Sequence, residues 1–571
     1  MFFEFHRSTW SPVFQSFYIL VLFGVMGMFA FAQTPSPTPV LDLAVVPSTD
    51  PMPVQPPFTA PVKPMPSIER VGVETSTQLS LTVEQAVEMA LKNNKDIEVS
   101  RNDYRISEFG IRAARGLYDP LVTSEGYYES LAIPTASLIG GAVNGAVTQT
   151  RTFGSVGVTG FSPYQGGSYS ALFNSSRTTT SNTNSLLNPQ FPSSFTATYV
   201  QPLLRNRKFD NNRRQIEIAK KNQELSDVQL QLKAIDVISN VEQAYWNLVF
   251  ALRVLQVEQE SLKQAKDQLE SNKRLVARGV LAPIELVAAN SQIANFEQSL
   301  FVAQDAVTRA ENNLKTQVLP DRSAPEWSRP LMPVSPVELP TPRISLEVAV
   351  AEALKNRFEI TELQKGAEIN EIDQRYYRNL MKPQIDLVGT YTTQGLAGIE
   401  TAAAINPATG LSRVPGNLVG SYPNSLLNLL QQDYPTYRVG VTISLPWGNR
   451  IAKANLGSKL VEAERIQNLR LQTEQAIEAE VRNALQSMRS IESRLASAVD
   501  ARVAAEDLYE SEQRLFRAGT STFYVVTQRQ TDLARARNQE LQARTALNRA
   551  ISDFQKAIGA TLTSNNVTVS K

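Results

Sequence analysis

From Asp210 to Arg278 the sequence contains neither proline nor glycine. Nothing in this window stops a helix, so it predicts one continuous helix of about 70 residues, roughly 100 Å long. A second window, Asn449 to Ala518, repeats the feature and is broken in composition only by Gly457. Rods of this length exceed the diameter of any compact domain, which excludes an ordinary globule. Leu248, Leu252, Leu255, Leu262 and Leu269 keep steps of three, four and seven, as do Val481, Leu485, Met488, Leu495 and Val499. Such stripes pack helix against helix, and no ligand is needed to explain them.

Each long window sits inside a plan written twice. Leu81-Thr82-Val83-Glu84-Gln85-Ala86-Val87, ending in Ala90-Leu91-Lys92-Asn93, parallels Ile344-Ser345-Leu346-Glu347-Val348-Ala349-Val350, ending in Ala353-Leu354-Lys355-Asn356. Further on, Arg274–Gly279 (RLVARG) parallels Arg514–Gly519 (RLFRAG). Both halves therefore read helix, strands, very long helix, tight turn, helix. The shorter helices are expected over Leu81–Tyr118 and from beyond Gly279 to about Val318, then over Leu346–Leu380 and Thr522–Ile558. Stacked end to end, each pair matches its long helix in length and can run antiparallel beside it.

Strand-like segments separate the helices. Tyr437 to Leu445 and Gln384 to Thr393 alternate apolar and polar residues. Leu121–Leu131, Thr152–Phe161, Ser168–Asn174 and Phe195–Leu203 are rich in Tyr, Phe, Gly, Ser and Thr. Alternation alone also fits a soluble sandwich. Long connections at one end only (Ala132–Gln149, Arg177–Ser194 and Gln394–Pro435) favour an outer-membrane barrel with one end facing the cell exterior.

His6 and Arg7, the apolar run Val13–Met28 and Ala30-Phe31-Ala32 read as a secretory signal cleaved before Gln33. The run is short for a membrane span. The chain has no cysteine, and its one histidine is His6. The mature chain would lack the commonest general base and the commonest transition-metal ligands, and no paired-acid motif stands out. An enzyme is not expected, and neither is a cofactor or metal. The formal charge is +1 with acids and bases mixed, which argues against nucleic acid as a partner. The resulting division is a signal (1–32), a Pro-rich disordered tail (33–78), a first repeat (79–319), a Pro-rich linker (320–343), a second repeat (344–560) and a C-terminal tail (561–571).

With these motifs in order, together with YDPLV, MKPQIDLVGTY, YVQPLLRNRKFDNNR and ISLPWGNRIAKAN, the chain resembles the TolC family of outer-membrane efflux proteins from about Leu79 to Gly559. The resemblance implies an α+β membrane protein with internal duplication. A homotrimer would share one outer-membrane β-barrel, its outer surface against lipid, and a long antiparallel coiled-coil α-barrel reaching into the periplasm. It also implies work beside a periplasmic adaptor (membrane fusion protein) and an inner-membrane pump, in tripartite efflux or type I secretion. A periplasmic structural or adaptor coiled coil is the alternative; it shares the helices but not the strands.

The resemblance makes the two helix-turn-helix tips, with Arg274, Gly279, Pro283, Arg514, Gly519 and Thr520, the candidate adaptor-docking site. Gly279 and Gly519 stand where a helix end wants a left-handed residue. Pro283 suits a first helical turn, and Thr520, Ser521 or Thr522 is suited to capping the returning helix. Glu285, six residues beyond the first glycine, and Gln528 in the second half are the candidate aperture residues. Val525 stands where the second half would match Glu285. Two further departures from the family are the missing lipid-bearing cysteine and an extra hairpin around Ser162–Gly167.

Overall fold

The computed structural model describes residues 72–74, 78–135, 140–142, 145–336 and 340–569. The expected signal and nearly all of the expected N-terminal tail lie outside them. The long windows are helical almost to the residue: α3 spans Asn211–Ala277 and α8 spans Arg450–Arg517. Asp210 caps α3 through its carboxylate, which accepts from the Arg213 amide at 2.8 Å.

The first expected helix divides at Asn94 into α1 (Val83–Asn93) and α2 (Lys95–Arg115). The extended backbone at Asn94 ends one helix while its side chain accepts from the Asp96 amide and starts the next. Arg357 divides the matching segment into α5 (Leu346–Asn356) and α6 (Phe358–Leu380). The returning helices are α4 (Ile284–Val318) and α9 (Phe523–Ala557). The 11, 21 and 35 residues of α1, α2 and α4 together equal the 67 of α3. That length match lets the shorter helices line the long one from end to end.

The helical wall has a definite order. The stacked pair α2 and α4 packs on one side of α3, the stacked pair α6 and α9 on the other, and α8 packs beyond α6 and α9. Around Val241, Tyr245, Trp246 and Leu248 the first half forms its largest apolar core. Polar bonds join the halves along the α3–α9 seam: Gln243 to Asp553 at 2.8 Å, Asn538 to Glu258 at 2.9 Å and Lys556 to Asp236 at 2.7 Å. Nearer the sheet, buried Asp373 of α6 accepts from Arg214 of α3 at 2.7 Å and Lys459 of α8 at 2.9 Å. Burial alone would raise this carboxyl; the bonds from Lys459 and Arg214 outweigh it and hold the group below the usual carboxylate range.

Six strands form one antiparallel sheet in the order β2 (Leu121–Pro134), β3 (Ala146–Phe161), β4 (Ser168–Thr180), β5 (Leu187–Pro202), β7 (Gln384–Glu400) and β8 (Tyr434–Ser444). The extra hairpin, β3–β4, lies inside this sheet and is paired on both sides. Its turn lies at the helical end, where Arg213 donates to the Pro163 carbonyl at 2.9 Å. The strands run further than their apolar alternation suggests, so the far-end connections shrink to 135–145, 181–186 and 401–433. Only the last is long, and it contains α7 (Tyr422–Gln431).

Two segments read as linker and tail carry structure. In the linker, β6 (Leu331–Pro333) pairs in parallel with β1 (Leu79–Leu81). Beyond residue 560, α10 (Thr561–Ser564) leads into a stretch whose Leu562, Val567 and Val569 pack on the first-half core. Among the described residues no helix is long and apolar enough to cross a membrane.

Candidate functional site: the turn tips and the open edges

At the end of the wall remote from the sheet, α3 and α8 finish in the same way. Gly279 and Gly519 have φ of 72° and 75°. At the first tip, the Gly279 amide donates to Val276 at 2.9 Å and the Val280 amide to Leu275 at 3.0 Å. At the second, Gly519 donates to Phe516 and Thr520 to Leu515, each at 3.0 Å. These are Schellman closures, which satisfy the last carbonyls of each helix. A β-carbon at either glycine would meet nothing within 4 Å, so the requirement for glycine is purely conformational.

The returning helices start differently. Pro283 is the N-cap of α4, one residue ahead of the helix. The expected hydroxyl cap on α9 is absent: Thr522 is its N-cap without a side-chain bond. Thr520 instead donates to the Leu515 carbonyl at 3.1 Å, closing α8, and the Ser521 hydroxyl pairs with Glu512. Both hydroxyls thus turn back towards α8 and leave the start of α9 without a side-chain cap.

The two tips lie side by side around a cavity of about 870 Å³, lined by Arg274 and Leu275 from one tip and by Phe516, Arg517 and Gly519 from the other. Pro283, Arg514 and Thr520 lie outside this lining; Arg514 is exposed and 3.9 Å from Glu510. Neither aperture candidate lines it. Glu285 is half-buried in the first turn of α4, whereas Gln528 is exposed on α9 and donates to Asp532 at 3.2 Å. Tyr509 and Gln513 of α8 also line the cavity and are bonded to each other at 2.6 Å. Nothing in the sequence singled them out, because their place depends on how the halves meet.

The sheet has two chemically distinct faces. The cross-strand register places Val122, Val156, Phe173, Phe195, Leu387 and Val441 on one face. Glu125, Glu129, Arg151, Asn174, Asp386 and Arg438 stand on the other. On the polar face Tyr127 stacks on Phe153 at 4.8 Å, and the Arg151 guanidinium lies 4.8 Å from the same ring. Both outer strands are exposed along their whole length. Their outward backbone groups therefore lack partners among the described residues. The wall is open on the same two sides: β2 follows α2, one outer member of the wall, and β8 leads into α8, the other.

The fold resembles several solved outer-membrane proteins. The Campylobacter jejuni CmeC channel is 15% identical, with a TM-score of 0.57, covering 84% of this chain and 86% of that one. Vibrio cholerae VceC is 14% identical, with a TM-score of 0.56 and coverage of 84% and 96%. The open state of Neisseria gonorrhoeae MtrE is 15% identical, with a TM-score of 0.55 and coverage of 84% and 89%. CmeC and MtrE are outer-membrane channels, and VceC is an outer-membrane protein. Among curated protein sequences none matches. The family described as outer membrane efflux protein matches residues 86–318 and 349–560, each span covering most of one half, and the chain belongs to that family.

Proposed function

We propose that three copies close into one conduit across the outer membrane and periplasm, with β2 and the α2–α4 side of one copy against β8 and α8 of the next. The observation that carries this reading is that sheet and wall are open on the same two sides. A head-to-tail contact that closes on itself removes every unpaired edge. The apolar sheet face then meets lipid and the polar face lines water. Six strands from each of three copies give a barrel of eighteen, a size that in porins leaves an aqueous channel.

In this reading the chain is the outer-membrane component of a tripartite efflux or type I secretion system. Its remote tips (Arg274, Gly279, Pro283, Arg514, Gly519 and Thr520) meet a periplasmic adaptor coupled to an inner-membrane pump. Glu285 and Gln528 stand near the periplasmic aperture. The shared element order of the halves supports an internal duplication. A purely periplasmic coiled coil leaves the two-faced sheet without a purpose. Native mass spectrometry of detergent-extracted protein tests the assembly. The expected mass is that of three chains, and a stable single chain overturns the reading.

A further inference from the structure

Helix α7 is built inside out for a water-soluble protein. Ser425, Asn428 and Leu429 are its buried residues, while Leu427 is 54% and Leu430 74% exposed. The inward polar groups are bonded to the sheet or to the neighbouring loop. Ser425 and Ser193 share a hydroxyl contact at 2.7 Å, and Asn428 donates to the carbonyls of Leu396 and Asn417, both at 2.8 Å. Thr393 donates to the Leu429 carbonyl at 3.3 Å. At Gly395 a β-carbon would lie 2.0 Å from the Ser425 carbonyl oxygen, so glycine lets the helix backbone approach closely.

The face of the sheet on which α7 lies is fixed by register. Ser193 pairs with Gly395 and Phe195 with Thr393, and side chains alternate along each strand. Ser193, Thr393 and Gly395 therefore stand on the apolar face, in line with Leu387 and Tyr391. From Ile385 to Gly395 the strand climbs about 25 Å along the membrane normal at ordinary rise and tilt, close to the full height of a barrel's apolar band. Tyr422–Gln431 contains no charged residue.

We infer that α7 is an interfacial membrane helix. It docks on the outside of the barrel by its small polar side and presents Leu427 and Leu430 to the acyl chains of the outer leaflet. Continuity with the apolar sheet face commits the surface to lipid, since no such stripe gains from facing water. The helix would pin the 401–433 connection to the outer rim and fix the depth of the barrel. This inference rests on the barrel reading above.

The chain has no cysteine, so single nitroxide labels can be placed cleanly on the full-length protein. The sites are Leu427→Cys, Leu430→Cys, Val439→Cys on the apolar strand face and Leu411→Cys in the exposed loop. In phosphatidylcholine–phosphatidylglycerol vesicles, collision rates with oxygen report lipid and those with a water-soluble nickel chelate report solvent. Labels at 427 and 430 are expected to match 439, with oxygen dominant, while 411 meets the chelate. Chelate-dominated collisions at 427 and 430, with 439 still in lipid, overturn the inference alone. So does shielding from both probes, which would assign the surface to a neighbouring copy. If 439 also meets the chelate, the barrel reading fails and this inference falls with it.

Discussion

The two long helices, α3 and α8, are almost equal in length at 67 and 68 residues, yet one is an interior spine and the other a border. Aligned on their tip glycines, Val241, Tyr245 and Leu248 of α3 fall opposite Val481, Leu485 and Met488 of α8, and all six are buried. The neighbouring stripe differs. Trp246 and Val249 of α3 are buried, whereas Gln486 and Arg489 at the matching positions of α8 are exposed. One apolar stripe holds each long helix to its own returning helix, and the second exists only where another wall helix covers it. Burial around a helix thus records its neighbours, and the sparse burial of α8 is what an unpartnered border shows.

Breaking the spine should have the largest effect. Trp246→Ala is expected to cost about 3–5 kcal/mol, because it empties a fully enclosed site. Gln486→Ala at the matching place should stay within about 0.5 kcal/mol. Thermal unfolding of the detergent-extracted variants, followed by helical circular dichroism, compares them. Equal losses would mean that α8 is covered within its own chain.

The border should fail in the opposite way. Leu460 and Leu471 are exposed and share one stripe of α8. Changing both to Asp is expected to abolish the three-chain mass while leaving single-chain helicity intact. Retention of the assembly would move the contact to another face of α8.

The tips are where the halves should behave alike. Gly279→Val and Gly519→Val each force a β-branched residue to positive φ at about 1–2 kcal/mol, with no added clash. Both should impair efflux in susceptibility assays while trimers persist. A large difference between them would show that the tips are not equivalent in docking.

The smallest expected effect is at Glu285. Three copies facing one another across a narrow aperture would favour cations, and Val525 gives the second half no matching acid. In planar-bilayer recordings Glu285→Gln should reduce cation preference and block by multivalent cations. Unchanged selectivity would make Glu285 a surface acid.

Much of this architecture is legible in the sequence, because unbroken helix formers and RLVARG/RLFRAG turns are local signals. The division at Asn94 is less visible: asparagine interrupts a helix only when its side chain turns back to the chain, as it does to Asp96. Strand ends such as Ala146–Arg151 are hidden because Thr and Gln alternate weakly, and their pairing comes from distant partners. Helix α7 lies in what reads as a loop. Its clue was the pair of Leu-Leu steps in SLLNLLQ behind Ser421 and Pro423, but the outward leucines make sense only once the sheet face beneath is known. At the tips the glycine geometry was readable from sequence. The direction of the Thr520 hydroxyl and the cavity between the halves were not, since both depend on contacts far apart in the chain.

The most direct measurement of the proposed closure is single-particle imaging of the full-length protein in a lipid nanodisc, resolved well enough to trace strands. The expected result is a threefold ring of eighteen strands in which β2 of each copy pairs with β8 of the next and α8 fills the gap beside α2 and α4. A single copy closed on itself, or a ring in which β3 and β4 lie outside the barrel wall, would contradict it.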